Sequence, residues 1–293
     1  MSSRLDPRQQ RLGQRIVDAL RGERAVAAMA LGGSFARGHA TAASDIDLVL
    51  FYDETQPPEP ARLNDIVAAL APDATPTFTR TGEWGPWVNG GAWLSFSGQR
   101  VDVLYRSLQQ CQRVLDDCTE GRWELHWAQQ PPYGYFSPTF MEELAVCMPL
   151  FDRSESLQHL RELARAYPDA LRRRIVQDFL WSIEFNLSAF LPKYVSAADA
   201  YGFAGCASRI CFQLVQVVYA LNATWPPPDR VALNRAAALS IRPADFATRV
   251  QRVLAHMGAT PEEQSDNAAQ LRELWTETVR LGGSLYTPRM SPT

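Results

Sequence analysis

The hydrophobic rhythm of the chain changes about halfway along. In the first half, short apolar runs alternate with polar loops. Residues 1–26 read as an amphipathic helix, with residues 16–20 continuing it. Residues 25–31 (AVAAMAL) form a short apolar run that ends at Gly32-Gly33, the pattern of a buried strand stopped by glycine. Residues 44–52 (SDIDLVLFY) predict a second strand, followed by a proline-rich loop (Pro57, Pro58, Pro60) and a helix over 61–70. Residues 92–97 and 100–105 read as a hairpin turning at Ser97-Gly98. A helix over 108–117, a break at Pro131-Pro132, a short helix over 141–147 and a strand over 149–152 complete this half. From about Ser154, leucine, valine and phenylalanine recur at three- and four-residue spacings. They predict helices over 157–167, 169–191, 197–221, 243–257 and 261–281. Apolar stripes of this kind must bury against one another, so a helical bundle is expected over 154–293, after a strand-and-helix domain over 1–153. The tail after Gly283 (Thr287, Pro288, Pro292) is expected to be mobile.

Composition narrows the class. With 293 residues, 46% hydrophobic and 21% charged, the chain has the make-up of a folded protein of two medium domains. A net charge of -3 argues against gripping long nucleic acid, which calls for a basic excess. No uninterrupted apolar stretch reaches the roughly 18 to 20 residues of a membrane span, and the first residues are too charged for a signal peptide. The five cysteines (Cys111, Cys118, Cys147, Cys206, Cys211) are odd in number and contain no C-x-x-C pair. Buried free thiols in a reducing cytoplasm are therefore expected, with neither a disulfide framework nor a zinc site.

One segment carries chemistry. Gly32 and Gly33 end a buried strand and permit a tight turn into a helix, and Ser34 adds a hydroxyl beside the free amides of that helix start, a corner suited to a phosphate oxygen. Asp45 and Asp47 are two apart on a strand, so both carboxylates emerge on one face while Ile46, Leu48 and Leu50 point to the core. Like charges about 7 Å apart repel unless a cation lies between them, and oxygen ligands beside a phosphate site indicate Mg²⁺. Asp102 is a candidate third acid. It interrupts a strand whose Val101 and Val103 face the other way.

Gly33-Ser34, then ten residues, then Asp45-x-Asp47 resembles the signature of the DNA polymerase β-like nucleotidyltransferase superfamily. The local forms Gly-Ser-x-Ala-Arg-Gly (33–38) and Ser-Asp-Ile-Asp-Leu (44–48) look like its small bacterial members, the minimal and the aminoglycoside nucleotidyltransferases. The resemblance is close over 31–51 and extends through Asp102. In the helical half it is only to the habit of such enzymes of appending a bundle that closes over the nucleotide. It implies an α+β nucleotidyltransferase domain, a mixed sheet with flanking helices, followed by an all-α bundle. It also implies two Mg²⁺ ions held by Asp45 and Asp47, with Asp102 completing the metal that activates the acceptor. Gly33 and Ser34 would hold the β- and γ-phosphates of a nucleoside triphosphate, with Ser44 in the same nucleotide-binding set. An acceptor hydroxyl would then attack the α-phosphorus and pyrophosphate would leave. Arg37 has two readings, a phosphate contact or a structural pairing that braces the aspartate loop.

The expected reaction moves AMP from ATP onto a small hydroxylated acceptor of the aminoglycoside-like kind, since the fused helical half has room to build a cleft and acids are plentiful enough to receive a cationic substrate. A protein or tRNA acceptor, or a nucleotide sensor without turnover, is the alternative. Weaker signals lie in the helical half. Asp178, Glu184 and Lys193 share one long helix and its end. Glu184, among Trp181, Ile183 and Phe185, is a candidate proton acceptor, and Lys193 a candidate phosphate contact, each against the plainer reading of a surface residue. Trp84, Trp87 and Trp93 crowd a Gly/Pro-rich stretch, either as core or as a stacking surface. Asn222 reads as a helix terminator, Arg230 as a residue that could face the cleft, and His39 as exposed. Arg249 and His256, seven apart, very loosely resemble an Arg/His ribonuclease motif. Oligomeric state and base preference are not legible.

Overall fold

Asp6 starts the first helix, α1 (Pro7–Arg21). Its carboxylate accepts from the amides of Arg8 and Gln9, and the Gln9 side chain closes a capping box on the Asp6 amide. Ile16, Val17 and Leu20 make the buried stripe of this helix. The structure, a computed structural model, describes residues 6–41, 44–70 and 76–290. Its contacts divide it into two units. The first contains residues up to 116 and 124–166, the second 117–123 and the chain from Tyr167.

In the first unit, α1 is followed by β1 (Ala28–Leu31), α2 (Gly33–Arg37), β2 (Ile46–Tyr52), α3 (Pro60–Ala68), β3 (Gly91–Phe96), β4 (Gln99–Ser107) and α4 (Leu108–Thr119). After these come β5 (Leu125–His126), β6 (Tyr135–Phe136), α5 (Thr139–Val146), β7 (Met148–Asp152) and α6 (Ser156–Leu163). Five strands form one sheet in the order β3-β4-β2-β1-β7. β2 and β4 run parallel and the other neighbours antiparallel, so the sheet is mixed, as expected. Alternation sorts its two faces. Ile46, Leu48, Leu50 and Tyr52 of β2, Val101, Val103 and Tyr105 of β4, and Ala92, Leu94 and Phe96 of β3 share one core with α1 and α3. On the opposite face stand Asp47, Asp102 and Trp93, where alternation leaves them. The short pair β5–β6 brackets the Pro131-Pro132 break and was not predicted. Two-residue strands are too short to show a period.

The second unit is helical: α7 (Asp169–Phe185), α8 (Leu191–Ser196), α9 (Ala200–Leu221), α10 (Asp229–Ala236), α11 (Phe246–Ala255) and α12 (Pro261–Gly282). α9 is long and apolar enough to cross a membrane by length and composition, yet most of it is buried inside this unit as its core helix. The predicted helix over 169–191 is interrupted by a π-helical turn at Asn186–Phe190, just before Pro192, which has no amide to continue the ladder. α10, among alanine and polar residues, was missed because its apolar stripe is only Ala232 and Ala236 deep.

The tail corrects its expectation. Tyr286 is buried and its hydroxyl donates to the Glu184 carboxylate, and the amides of Arg289 and Met290 donate to the same group at 2.7–3.0 Å. The guanidinium of Arg289 lies over the Trp181 ring. Residues 286–290 are thus fastened to α7, while Pro292 lies outside the described residues.

Candidate active site

The corner between β1 and β2 is built around a contact that requires glycine. The Gly32 amide donates to the Asp47 carbonyl at 2.8 Å, drawing the start of α2 against β2. Gly33 has φ of +55°, and a Cβ placed on it would lie 1.7 Å from Asp47 Oδ2. Both the backbone conformation and the space exclude other residues. Ser34 follows at the same corner, half-buried. Its carbonyl accepts from the His39 amide, and its hydroxyl has no hydrogen-bonding protein partner among the described residues.

Of the two readings of Arg37, the structure has the structural one. Its guanidinium makes a bidentate pair with Glu142 of α5, at 2.5 to 3.1 Å, with both side chains about nine-tenths buried. The Nε and Nη2 groups so engaged tie α2 to α5. Ser44 is also committed. Its hydroxyl, one residue before Asp45, accepts from the Thr41 amide at 2.9 Å.

The parallel pairing of β2 with β4 puts Asp47 directly opposite Asp102. Neighbouring strands lie about 4.8 Å apart, and paired residues point to the same face. Asp45 stands just before β2, close enough for its charge to act on Asp102. Its carboxylate is 27% exposed and pairs with the Arg100 guanidinium at 2.7 Å. Burial, and after it the negative charge of Asp45, holds the Asp102 carboxyl above the usual carboxylate range, with Arg100 working the other way. Backbone register and this proximity bring the three acids to one patch, but their side chains are turned apart: Asp45 toward Arg100, Asp47 beneath Gly33. As they stand, no three His, Cys, Asp or Glu side chains among the described residues are grouped tightly enough to hold a metal ion. The donors are all carboxylates, and the Asp102 carboxyl already feels the like charge of Asp45. Oxygen chemistry and mutual repulsion are what a hard divalent cation requires, so the residues fit such an ion in kind.

Two candidates from the helical half have partners within their own unit. Glu184 is 2% exposed, and its carboxylate is occupied by Tyr286 and two backbone amides of the tail. It is an anchor, and its apolar neighbours reflect burial. Lys193 is exposed and its ammonium lies over the Phe190 ring, 5.5 Å from the centroid, the snorkelling alternative. Asp178 pairs with Arg174 and accepts from the Trp123 indole. Arg249 pairs with Glu277, and His256 stands beyond the end of α11, so the two do not share a helical face. Asn222 bridges the end of α9 to both backbone groups of Ile241, the expected terminator. Arg230 and His39 are exposed. All five cysteines are free, four buried and Cys206 half-buried.

Sequence reading missed Arg100 and Glu142. Arg100 shares a face of β4 with Asp102 by alternation, but its meeting with Asp45 depends on the pairing of two strands. Nothing local marks Glu142, which reaches Arg37 across 105 residues. The three tryptophans divide: Trp87 is core, stacked on Tyr135, whereas Trp93 is 69% exposed and stacked on Trp84.

Two family models match separate regions of the chain. Residues 14–115 match the family described as nucleotidyltransferase domain, and residues 144–230 match a domain of unknown function, DUF4037. A nucleotidyltransferase-like protein from Exiguobacterium sibiricum 255-15 is 12% identical, over 94% of this chain and 77% of that one, with a TM-score of 0.45. The spectinomycin adenyltransferase AAD(9) from Enterococcus faecialis, solved with ATP and spectinomycin, is 13% identical, over 92% of this chain and 99% of that one, with a TM-score of 0.37. No curated protein sequence matches. The part of the chain that holds Gly33, Ser34 and the three aspartates is a nucleotidyltransferase domain of the DNA polymerase β-like family, followed by a mostly helical region.

Proposed function

We propose that the protein is a Mg²⁺-dependent nucleotidyltransferase that moves a nucleoside monophosphate, AMP from ATP, onto a hydroxyl of a small acceptor. The observation that carries the reading is the register of Asp47 against Asp102, with the charge of Asp45, just before β2, acting on Asp102. Divalent ions, when bound, neutralise charge on the attacking and leaving oxygens. Asp45 and Asp47 would hold them, with Asp102 on the acceptor side. Gly33 holds the corner open against Asp47, and the Ser34 hydroxyl at that corner is available to a phosphate oxygen. Arg37 and Glu142 keep α2 in place, so the corner is preorganised before substrate arrives. For the acids to converge, Asp45 must leave Arg100, an exposed pair of small intrinsic worth.

The test is incubation with labelled ATP, GTP, CTP and UTP against an acceptor panel, with and without Mg²⁺. Transfer is expected only with Mg²⁺, and Asp47→Asn is expected to lower it by a factor of at least 10³, as loss of a metal-held charge does. Pyrophosphate release that persists in EDTA overturns the metal-dependent mechanism. The Asp45–Arg100 pair favours one second reading, a nucleotide sensor without turnover. Asp102→Ala separates the two. It abolishes transfer while sparing triphosphate binding in an enzyme, and changes only affinity in a sensor.

A further inference from the structure

Trp93 occupies a place that packing does not explain. In the antiparallel pairing of β3 with β4, Trp93 stands directly opposite Asp102, which in turn stands opposite Asp47 across β4–β2. The three residues form one row across the sheet, on the face turned away from the core that Ala92 and Leu94 join. A tryptophan on an edge strand normally buries most of its large apolar surface. Here 69% of Trp93 is exposed. One side of its ring is covered by Trp84, with centroids 4.5 Å apart and planes 21° from parallel, which leaves the other side free and holds the indole in a fixed attitude. The partner of the stack, Trp84, is itself held in a structured turn, its amide donating to the Asn89 carbonyl at 3.2 Å and its carbonyl accepting from the Gln129 side chain. A preordered, exposed ring beside an acid is suited to hold a flat ring while a substituent of that ring reaches the acid.

We propose that Trp93, braced by Trp84, is the stacking platform for the acceptor. The acceptor is then a hydroxyl-bearing ring compound with a flat C–H or π face, laid on the indole so that its hydroxyl reaches toward Asp102. The inference rests on the nucleotidyltransferase reading and adds the ring to it. Trp93 is one strand removed from Asp47 and on the far side of Asp102 from it, away from the Gly33–Ser34 corner. The nucleotide is assigned to that corner, so the indole is left for the acceptor and not for the base.

The experiment uses the full chain labelled with 5-fluorotryptophan, the Trp93 resonance being assigned by Trp93→Phe. The probes are α,β-methylene-ATP with Mg²⁺, then spectinomycin as a saturated hydroxylated ring and dopamine as a planar one, each with and without the nucleotide analogue. The Trp93 signal is expected to shift with at least one ring probe and to stay in place with the analogue alone. In transfer assays on that probe, Trp93→Ala is expected to raise the acceptor KM about tenfold and leave the ATP KM within about twofold, with Trp93→Phe recovering most of the loss. A Trp93 shift caused by the analogue alone would make the platform a base-stacking surface and overturn the proposal. So would ring probes that leave the signal unmoved. Calorimetric binding of the analogue to both wild type and Trp93→Ala tells these outcomes from failure of the nucleotidyltransferase reading itself, in which neither protein binds it.

Discussion

At the scale of single residues, the site is set by a glycine and by which charges find partners. Gly33 and Asp47 occupy mutually exclusive space: the carboxylate lies where any Cβ at position 33 would have to be. Gly33→Ala must either push Asp47 aside or move the start of α2, and it also carries the penalty of a positive φ. A loss of about 1–3 kcal/mol in stability is expected, read from urea unfolding, together with loss of transfer. An alanine variant of wild-type stability would show that the Gly33–Asp47 contact is not maintained in solution. Arg37 illustrates the opposite outcome. Its spacing suits a phosphate ligand, but a carboxylate brought from α5 takes its Nε–Nη2 edge. Truncating either partner would leave the other charge buried alone, and for that reason the pair holds its corner rigidly.

At the scale of elements, strands were read more securely than short helices. β2 is an apolar run broken only by Asp47, and β4 alternates with Asp102 on its less buried face, and those two acids mark the site. α10 has a weak stripe and a half-buried acid at its start. Burial pushes the Asp229 carboxyl up to about 6, against the pull of the helix N-terminus in the other direction. The folded state therefore holds this proton more tightly than the unfolded chain, whose value is near 3.8. Stability contributed by the protonated form is full at pH values below 3.8 and falls as pH rises toward 6. Wild type is expected to lose about 3 kcal/mol across that window relative to Asp229→Asn. Thermal melts of both proteins between pH 4 and 7 measure the difference, and parallel curves would show that Asp229 is solvated.

At the scale of the whole molecule, the tail is part of the fold of the second unit. The Glu184 carboxylate receives a hydroxyl and two amides from residues more than a hundred positions later. Glu184→Gln replaces one of the accepting oxygens by a donor that faces other donors. A cost of about 2 kcal/mol and loss of hydrogen-exchange protection at Arg289 and Met290 are expected. Protection that survives the substitution would show that the tail is held by Trp181 and not by the carboxylate. What the sequence by itself determined is what local rules control. The glycine turn, the alternation that puts Asp47 on the face opposite Ile46 and Leu48, and the change from strand to helix periodicity are all written within a few residues, because backbone geometry repeats over that distance. Tertiary structure decided which polar groups meet: Asp47 with Asp102, Asp45 with Arg100, Arg37 with Glu142, Glu184 with the tail. It also decided which of three similar tryptophans stays in water. Those outcomes depend on register and packing between distant segments. A charge buried on folding takes whatever partner the fold brings to it, and no local pattern records that choice.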